Sequence, residues 1–144
     1  MRRKKISLVG AGNIGGILGL LSGYQSLGDV QFIDISKGIT VGKSLDLSHS
    51  ASVLGFHSHF SASNDLADIK DSDVVIVTAG LARKPGMSRE DLLQKNADII
   101  KDIGIMIAQE SPDAFVIVVT NPLDAMVWYL QKVSGLPPQK VVGM

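Results

Sequence analysis

The sequence lacks cysteine and net charge. Without cysteine, the chain cannot form a disulfide, present a thiolate nucleophile or hold a cysteine-ligated metal, and we expect no metal site. The balanced charge favours neither nucleic acid nor membranes as partners, so we interpret the basic run from Arg2 to Lys5 as a solvated lead into the first strand. We see no secretory signal, and no apolar stretch approaches the ~20 residues of a membrane span. These absences favour a cytoplasmic location.

A chain of 144 residues with 45% hydrophobic content is long enough for one domain with a substantial core, but not for two. Short apolar runs predict strands at 6–9, 30–34, 56–62, 73–78, 114–120 and from 140 onwards. Helical patterns alternate with them, from 14 onwards and at 38–54, 88–110 and 121–134. This alternation predicts an α/β fold, a doubly wound parallel sheet of order 3-2-1-4-5-6 that ends within its last strand.

We expect one face of the second helix to pack on the sheet. The first two helices both contain recurring apolar residues. They are Ile14, Ile17, Leu18 and Leu21 in the first helix, and Val41, Leu45 and Leu47 in the second.

A glycine-rich turn joins the first strand to the first helix. It consists of Gly10, Ala11, Gly12, Asn13, Ile14 and Gly15. Gly10 can adopt the dihedral angles of a tight turn, Gly12 allows the backbone to approach a pyrophosphate, and Gly15 allows close packing of the helix. The helix N-terminus offers unpaired N–H groups to an anion. The alternative is a glycine-rich turn that binds nothing.

An acidic residue, Asp34, ends the second strand about 20 residues beyond the glycines, where this fold places a carboxylate against the adenosine ribose. A carboxylate accepts hydrogen bonds from a free diol and repels a 2′-phosphate, so we predict NAD rather than NADP. Lys37 is close enough in sequence to weaken this preference. Asp34 could instead be an ordinary turn or helix cap.

The segment Gly80 to Arg89 follows the fourth strand and carries two arginines, Arg83 and Arg89. Arginine can grip a carboxylate through two parallel hydrogen bonds, and a hinged loop can close such a grip over a substrate. Two arginines indicate a dianion. The alternative is an exposed surface loop in which Arg89 pairs with a nearby carboxylate such as Glu90.

Three motifs together resemble the lactate-dehydrogenase-like malate dehydrogenases. They are Thr78-Ala79-Gly80, the segment from Arg83 to Leu93, and Val118-Val119-Thr120-Asn121-Pro122-Leu123-Asp124. The resemblance implies oxidation of malate to oxaloacetate with NAD, a reaction of the tricarboxylic acid cycle. It implies that Arg83 selects the second carboxylate of the substrate, where lactate dehydrogenases usually have glutamine. It also implies that Arg89 polarises the reacting carbonyl.

The same resemblance implies roles for polar and backbone groups around the cofactor. Asn121 would contact both substrate and NAD, although it could equally be a helix cap. Asn96 and the backbone near Val119 would contact NAD, although Asn96 could be an uncommitted polar residue. The other cofactor-binding positions are Gly10 to Gly15, Asp34, Thr78, Ala79, Gly80 and Thr120. A cis peptide is implied before Pro122.

The sequence departs from this family in its proton-transfer residues. His49, His57 and His59 do not lie in the family's Gly-x-His-Gly setting, so we expect structural or surface roles for them. We therefore interpret residues 1–144 as a dinucleotide-binding domain without the catalytic domain, inactive alone and homo-oligomeric when complete. Two alternatives are a stand-alone NAD-binding module and a fragment of a lactate or other 2-hydroxy acid dehydrogenase. The arginine pair argues against the first, and Arg83 argues against the second.

Overall fold

A computed structural model describes residues 2–83 and 85–144 and contains the expected parallel sheet. Its order is β3-β2-β1-β4-β5-β6, and every neighbouring pair is parallel. The strands are β1 (Lys5–Val9), β2 (Asp29–Ile33), β3 (Phe60–Ser63), β4 (Val74–Val77), β5 (Phe115–Val118) and β6 (Val141–Gly143). The predicted strand order is confirmed.

Within residues 2–83 and 85–144, four α-helices connect the strands. They are α1 (Asn13–Tyr24), α2 (Lys37–Leu54), α3 (Arg89–Glu110) and α4 (Leu123–Ser134), with short 3-10 helices at Leu66–Ile69 and Pro138–Lys140. Among the described residues, none of these helices is long and apolar enough to cross a membrane. The side chain of Ser88 caps α3 by accepting a hydrogen bond from the backbone N–H of Asp91. Hydrogen bonds from Ser88 hold the pKa of the Asp91 carboxyl below its usual value.

The sheet is buried on both faces because successive strand residues point in opposite directions. Val75 and Val77 belong to one core cluster, which includes Ile100 and Ile103 of α3. Ile76 belongs to the other, against which Leu18 and Leu20 of α1 pack. The sheet therefore forms a rigid platform whose strands all end at one edge.

Glycines form most of the buried face of α1. Ile14, Ile17 and Leu21 are at least half exposed, whereas Gly15, Gly19 and Gly23 are buried. A Cβ at Gly19 would overlap the ring of Phe32, and one at Gly23 would overlap the ring of Phe60. Because these rings occupy the space between helix and sheet, the glycine face of α1 makes the closest approach, and Leu18 and Leu20 are partly buried against the same cluster.

The predicted core face of α2 is correct only at Leu47, which packs against the second core cluster. Val41 and Leu45 are exposed, while Thr40 and Ser44 are buried. Their hydroxyls donate to carbonyls within or beside the same turn, so burying them leaves no polar group unpaired.

Two further local predictions need correction. Strand β3 begins at Phe60 rather than residue 56, and the exposed His57 and His59 precede it. Alternation of exposed and buried residues continues through this extended segment, which explains its strand-like pattern. The first turn of α4 is capped not by Asn121 but by Pro122, without a side-chain hydrogen bond. The cis peptide at Asn121–Pro122 is confirmed.

Candidate active site

A cavity of about 420 Å³ opens where β1, β2 and β4 end. Its lining includes the predicted positions Gly10, Gly12, Asp34, Thr78, Ala79 and Gly80. Strand order reverses between β1 and β4, and doubly wound sheets bind ligands at this point. The apolar walls come from residues outside the predicted site, namely Leu66, Ile99 and Ile103.

The glycine turn combines one crowded position with one open position. Gly10 has φ +105°, and a Cβ there would lie 2.6 Å from the backbone nitrogen of Ala79. Thr78 Oγ1 donates to the carbonyl of Gly10 at 2.9 Å, which fixes the turn against β4. Gly12, by contrast, is exposed, and a Cβ there would have no atom within 4 Å. The backbone at Gly12 is therefore accessible to a ligand from the cavity.

Asp34 is positioned by two backbone N–H groups. Its Oδ2 accepts from Ala11 at 2.7 Å, and its Oδ1 accepts from Ser36 at 2.9 Å. A carboxylate oxygen has two acceptor sites, so these bonds leave capacity for ribose hydroxyls. Asp34 thus connects the ends of β1 and β2 and presents a carboxylate to the cavity. Within residues 2–83 and 85–144, Lys37 is not among the salt-bridge partners.

The side chain of Asn96 joins two loops. It is 1% exposed, accepts from the N–H of Leu81 at 2.8 Å and donates to the carbonyl of Asn121 at 2.7 Å. A second donor bond reaches the carbonyl of Leu81 at 3.3 Å. This amide therefore aligns the loops after β4 and β5. Direct contact between Asn96 and NAD stays a prediction.

Thr120 has a similar supporting position. It is buried, and its Oγ1 donates to the carbonyl of Ala79 at 2.7 Å. A Cβ at Gly80 would lie 2.6 Å from Thr120 Cγ2, so glycine is needed for this close approach. The backbone of Val119 donates to Val77, continuing the β4–β5 pairing. The segment from Ala79 to Leu81 is therefore fixed by hydrogen bonds between the side chains of Thr120 and Asn96 and its backbone.

The two arginines lie on the exposed segment that leaves the cavity. Arg83 Nε donates to the carbonyl of Met87 at 3.1 Å, while Arg89 is the first residue of α3. Among the described residues, neither guanidinium forms a salt bridge within 4.0 Å, so the pairing of Arg89 with Glu90 is not observed. Lys84, within the same predicted loop, lies outside the described residues. Both guanidinium groups are in solvent-accessible positions suited to anion binding.

Asn64 is a site residue that sequence reasoning did not identify. In the sequence it is only one residue of the polar connection that follows the third strand. Its Nδ2 donates to the carbonyl of Asp34 at 2.6 Å, and the residue lines the cavity. Its position directly after β3, at the same sheet edge as Asp34, was the available signal. No group of three or more histidines and carboxylates that could hold a metal ion occurs in the described part of the chain.

A protein-family comparison supports the same cavity as a nucleotide site. Residues 4–143 match the family model described as "lactate/malate dehydrogenase, NAD binding domain". The chain belongs to this family. The open position at Gly12 and the carboxylate of Asp34 fit NAD, the cofactor of this domain.

Sequence and structural relatives agree with this assignment. The chain is 55% identical to a malate dehydrogenase from Methylobacterium radiotolerans, over 100% of its own length and 45% of that protein. It resembles the crystal structure of Cryptosporidium parvum malate dehydrogenase with a TM-score of 0.92 and 48% identity, covering 100% of this chain and 46% of the other. A second similar structure is a C. parvum lactate dehydrogenase complexed with lactic acid and nicotinamide adenine dinucleotide. Its TM-score is 0.94 and its sequence identity is 46%, covering 100% of this chain and 45% of the other. The chain thus spans less than half the length of these relatives.

Proposed function

We propose that this domain serves an NAD-dependent malate dehydrogenase, which converts malate and NAD to oxaloacetate and NADH. The observation that carries the proposal is the arginine pair on the segment leaving the NAD cavity. A dicarboxylate has two anionic groups, and Arg83 and Arg89 supply two guanidinium groups that other side chains do not neutralise among the described residues. The similarity to malate dehydrogenases supports the same substrate.

Each site residue has a distinct role in this proposal. Gly10 to Gly15 hold the pyrophosphate at the N-terminus of α1, and Asp34 accepts the ribose hydroxyls. Thr78, Ala79, Gly80 and Val119 form the surface that faces the nicotinamide half, and the buried Thr120 supports it through Ala79 and Gly80. When bound, NAD supplies the hydride acceptor.

At the substrate end, Arg83 binds the carboxylate that distinguishes malate from lactate. Arg89 stabilises negative charge on the reacting oxygen, and Asn121 orients the substrate against the cofactor. These side chains orient the reaction, but a proton acceptor is also required for the substrate hydroxyl.

The histidines of this chain do not meet that requirement. His49, His57 and His59 are exposed, and none of them lines the cavity. We propose that a catalytic domain outside residues 1–144 supplies the acid–base histidine. The chain alone then binds NAD without oxidising malate.

The substrate assignment is tested by Arg83→Gln in a longer protein that carries this domain together with a catalytic domain. The expected result is a shift in kcat/KM from oxaloacetate towards pyruvate, because the variant loses the charge that pairs with the second carboxylate. A change of at least about 100-fold in the ratio is expected for removal of a matched polar contact. Arg3→Gln, at the opposite end of the sheet, is the matched control. An unchanged ratio would remove the selectivity role of Arg83.

A lactate dehydrogenase is the second candidate, supported by the TM-score of 0.94 to the C. parvum enzyme. The same assay separates the two, since a wild-type preference for pyruvate would favour this candidate. A stand-alone NAD-binding module would bind NAD without dicarboxylate binding in any context.

Three broader properties belong to the same proposal. We assign the reaction to the tricarboxylic acid cycle. We assign the protein to the cytoplasm, and cell fractionation tests this location. We also propose a homo-oligomer, supported by the exposed apolar side chains of Ile17 and Leu21 on α1 and Leu45 on α2. Sedimentation analysis showing only monomers of the complete protein would contradict that assembly.

A further inference from the structure

A lysine from α2 reaches the glycine turn. Lys43 Nζ donates to the carbonyl of Gly12 at 2.6 Å, across 31 positions of sequence. The same carbonyl accepts the first intrahelical hydrogen bond of α1, from the N–H of Gly16 at 2.9 Å. An ammonium group is therefore attached to the point where α1 begins, beside the cavity that Gly12 lines.

Gly16 provides the space for this lysine. A Cβ at Gly16 would lie 2.5 Å from Lys43 Nζ and 3.3 Å from its Cδ and Cε. The dinucleotide fingerprint requires the glycines at 10, 12 and 15, but not the one at 16. The absence of a side chain at Gly16 therefore leaves room for the end of the Lys43 side chain.

The Lys43 ammonium lies near the N-terminus of α1, and Asp46 lines the same groove. A helix N-terminus carries a partial positive charge, so a nearby cation is repelled unless an anion is present. The first turn of α1 contains no acidic residue, and Gly12 provides no side-chain cap. Within the described residues, no carboxylate lies within 4.0 Å of the Lys43 ammonium. A bound diphosphate would relieve this repulsion.

We propose that Lys43 is a positioning residue for the cofactor diphosphate, acting through the Gly12 carbonyl and through its charge. It holds the turn in the conformation that exposes the Gly12 backbone, and it adds a cation to the positive end of α1. This role rests on the NAD site described above and extends it to a side chain from a different helix, outside the glycine motif.

The first test measures binding of ADP-ribose, which carries the diphosphate without nicotinamide, to the full chain. Lys43→Met keeps the aliphatic stem and removes the charge, so Kd at low salt should rise about tenfold, as expected for one partly exposed cation beside a dianion. The dependence of Kd on KCl concentration should become weaker. Lys43→Arg should restore most of the affinity. Lys70→Met makes the same change in net charge before β4, at the other end of the strands, and should leave Kd unchanged.

A second variant separates positioning from general stability. Gly16→Ala displaces the end of the Lys43 side chain but improves helix propensity, so we expect Tm of the ligand-free chain to rise by about 2–3 °C while ADP-ribose affinity falls. In a Lys43→Met background, Gly16→Ala should cause no further loss of affinity, because both changes remove the same interaction.

The outcomes distinguish failure of the NAD site from failure of the proposed role of Lys43. Failure of the wild-type chain to bind NAD or ADP-ribose would refute the cofactor site itself and the role of Lys43 with it. Wild-type binding with an unchanged Kd in Lys43→Met would refute only the role of Lys43. Fully additive losses of affinity in the Lys43→Met, Gly16→Ala double variant would also refute the role of Lys43. So would a lowered Tm of ligand-free Lys43→Met that accounts for its weaker binding.

Discussion

Gly10 and Gly12 lie two residues apart in the same turn, yet replacing each with alanine should affect different properties. At Gly10, φ is +105° and a Cβ would lie 2.6 Å from Ala79 N and 2.9 Å from Ala79 Cα. Backbone strain costs about 1–3 kcal/mol and overpacking a similar amount, so Gly10→Ala should lower the free energy of unfolding by about 2–6 kcal/mol. For a domain of this size, the expected decrease in Tm is roughly 6–20 °C.

At Gly12, φ is −65° and a methyl group added at the Cα would have no atom within 4 Å. Alanine is a weaker N-cap than glycine, but the expected loss of stability stays within about 1 kcal/mol. The methyl group would instead occupy the space through which a pyrophosphate approaches the backbone. A steric cost of about 1–3 kcal/mol corresponds to a roughly five- to 150-fold increase in the Kd for NAD.

Chemical denaturation of the ligand-free chain and calorimetric titration with NAD measure the two effects separately. Gly38→Ala is a suitable control, because a Cβ at Gly38 also meets nothing within 4 Å and the residue is outside the turn. It should retain wild-type affinity. Unchanged NAD affinity in Gly12→Ala would show that the diphosphate does not pass over this position, and the assigned geometry of the turn would fail.

Three further predictions concern charge and turnover. Asp34→Asn should reduce the preference for NAD over NADP by roughly 10-fold or more, because it removes a negative charge beside the ribose 2′ position; equal losses for both cofactors in fluorescence titration would contradict this role. Hydrogen bonds from Lys4 and Lys5 lower the pKa of Asp73, so its stabilising contribution is complete above its usual pKa and is lost as pH falls through the lowered folded-state value. Urea denaturation should therefore show that the stability difference between wild type and Asp73→Asn begins to narrow below about pH 4 and stops changing only below the lowered folded-state pKa of Asp73; a difference that does not change with pH in this range would count against the cause. Residues 1–144 should gain thermal stability with NAD but show no malate oxidation in an absorbance assay for NADH, and robust turnover would mean that a proton acceptor within this chain was overlooked.

Local sequence was sufficient where a residue's role depends on its own backbone or on its immediate neighbours. Only glycine tolerates the positive φ of Gly10, and the run that forms β4 is apolar on both faces because both faces of this strand are buried. Ser88 and Asp91 form their capping box within four residues. The glycine turn and the apolar runs together indicate the doubly wound fold. That fold has one common strand order and one common position for the acidic residue, so the strand order and the location of Asp34 could be predicted.

Tertiary structure decided which surfaces meet. The spacing of apolar residues in α1 does not identify its buried face, because the rings of Phe32 and Phe60 from distant strands require glycines there. The Asn96 amide joins loops 15 and 25 residues away, and Lys43 reaches Gly12 across 31. Periodicity within one helix cannot reveal such partners, because their positions depend on how sheet and helices pack together.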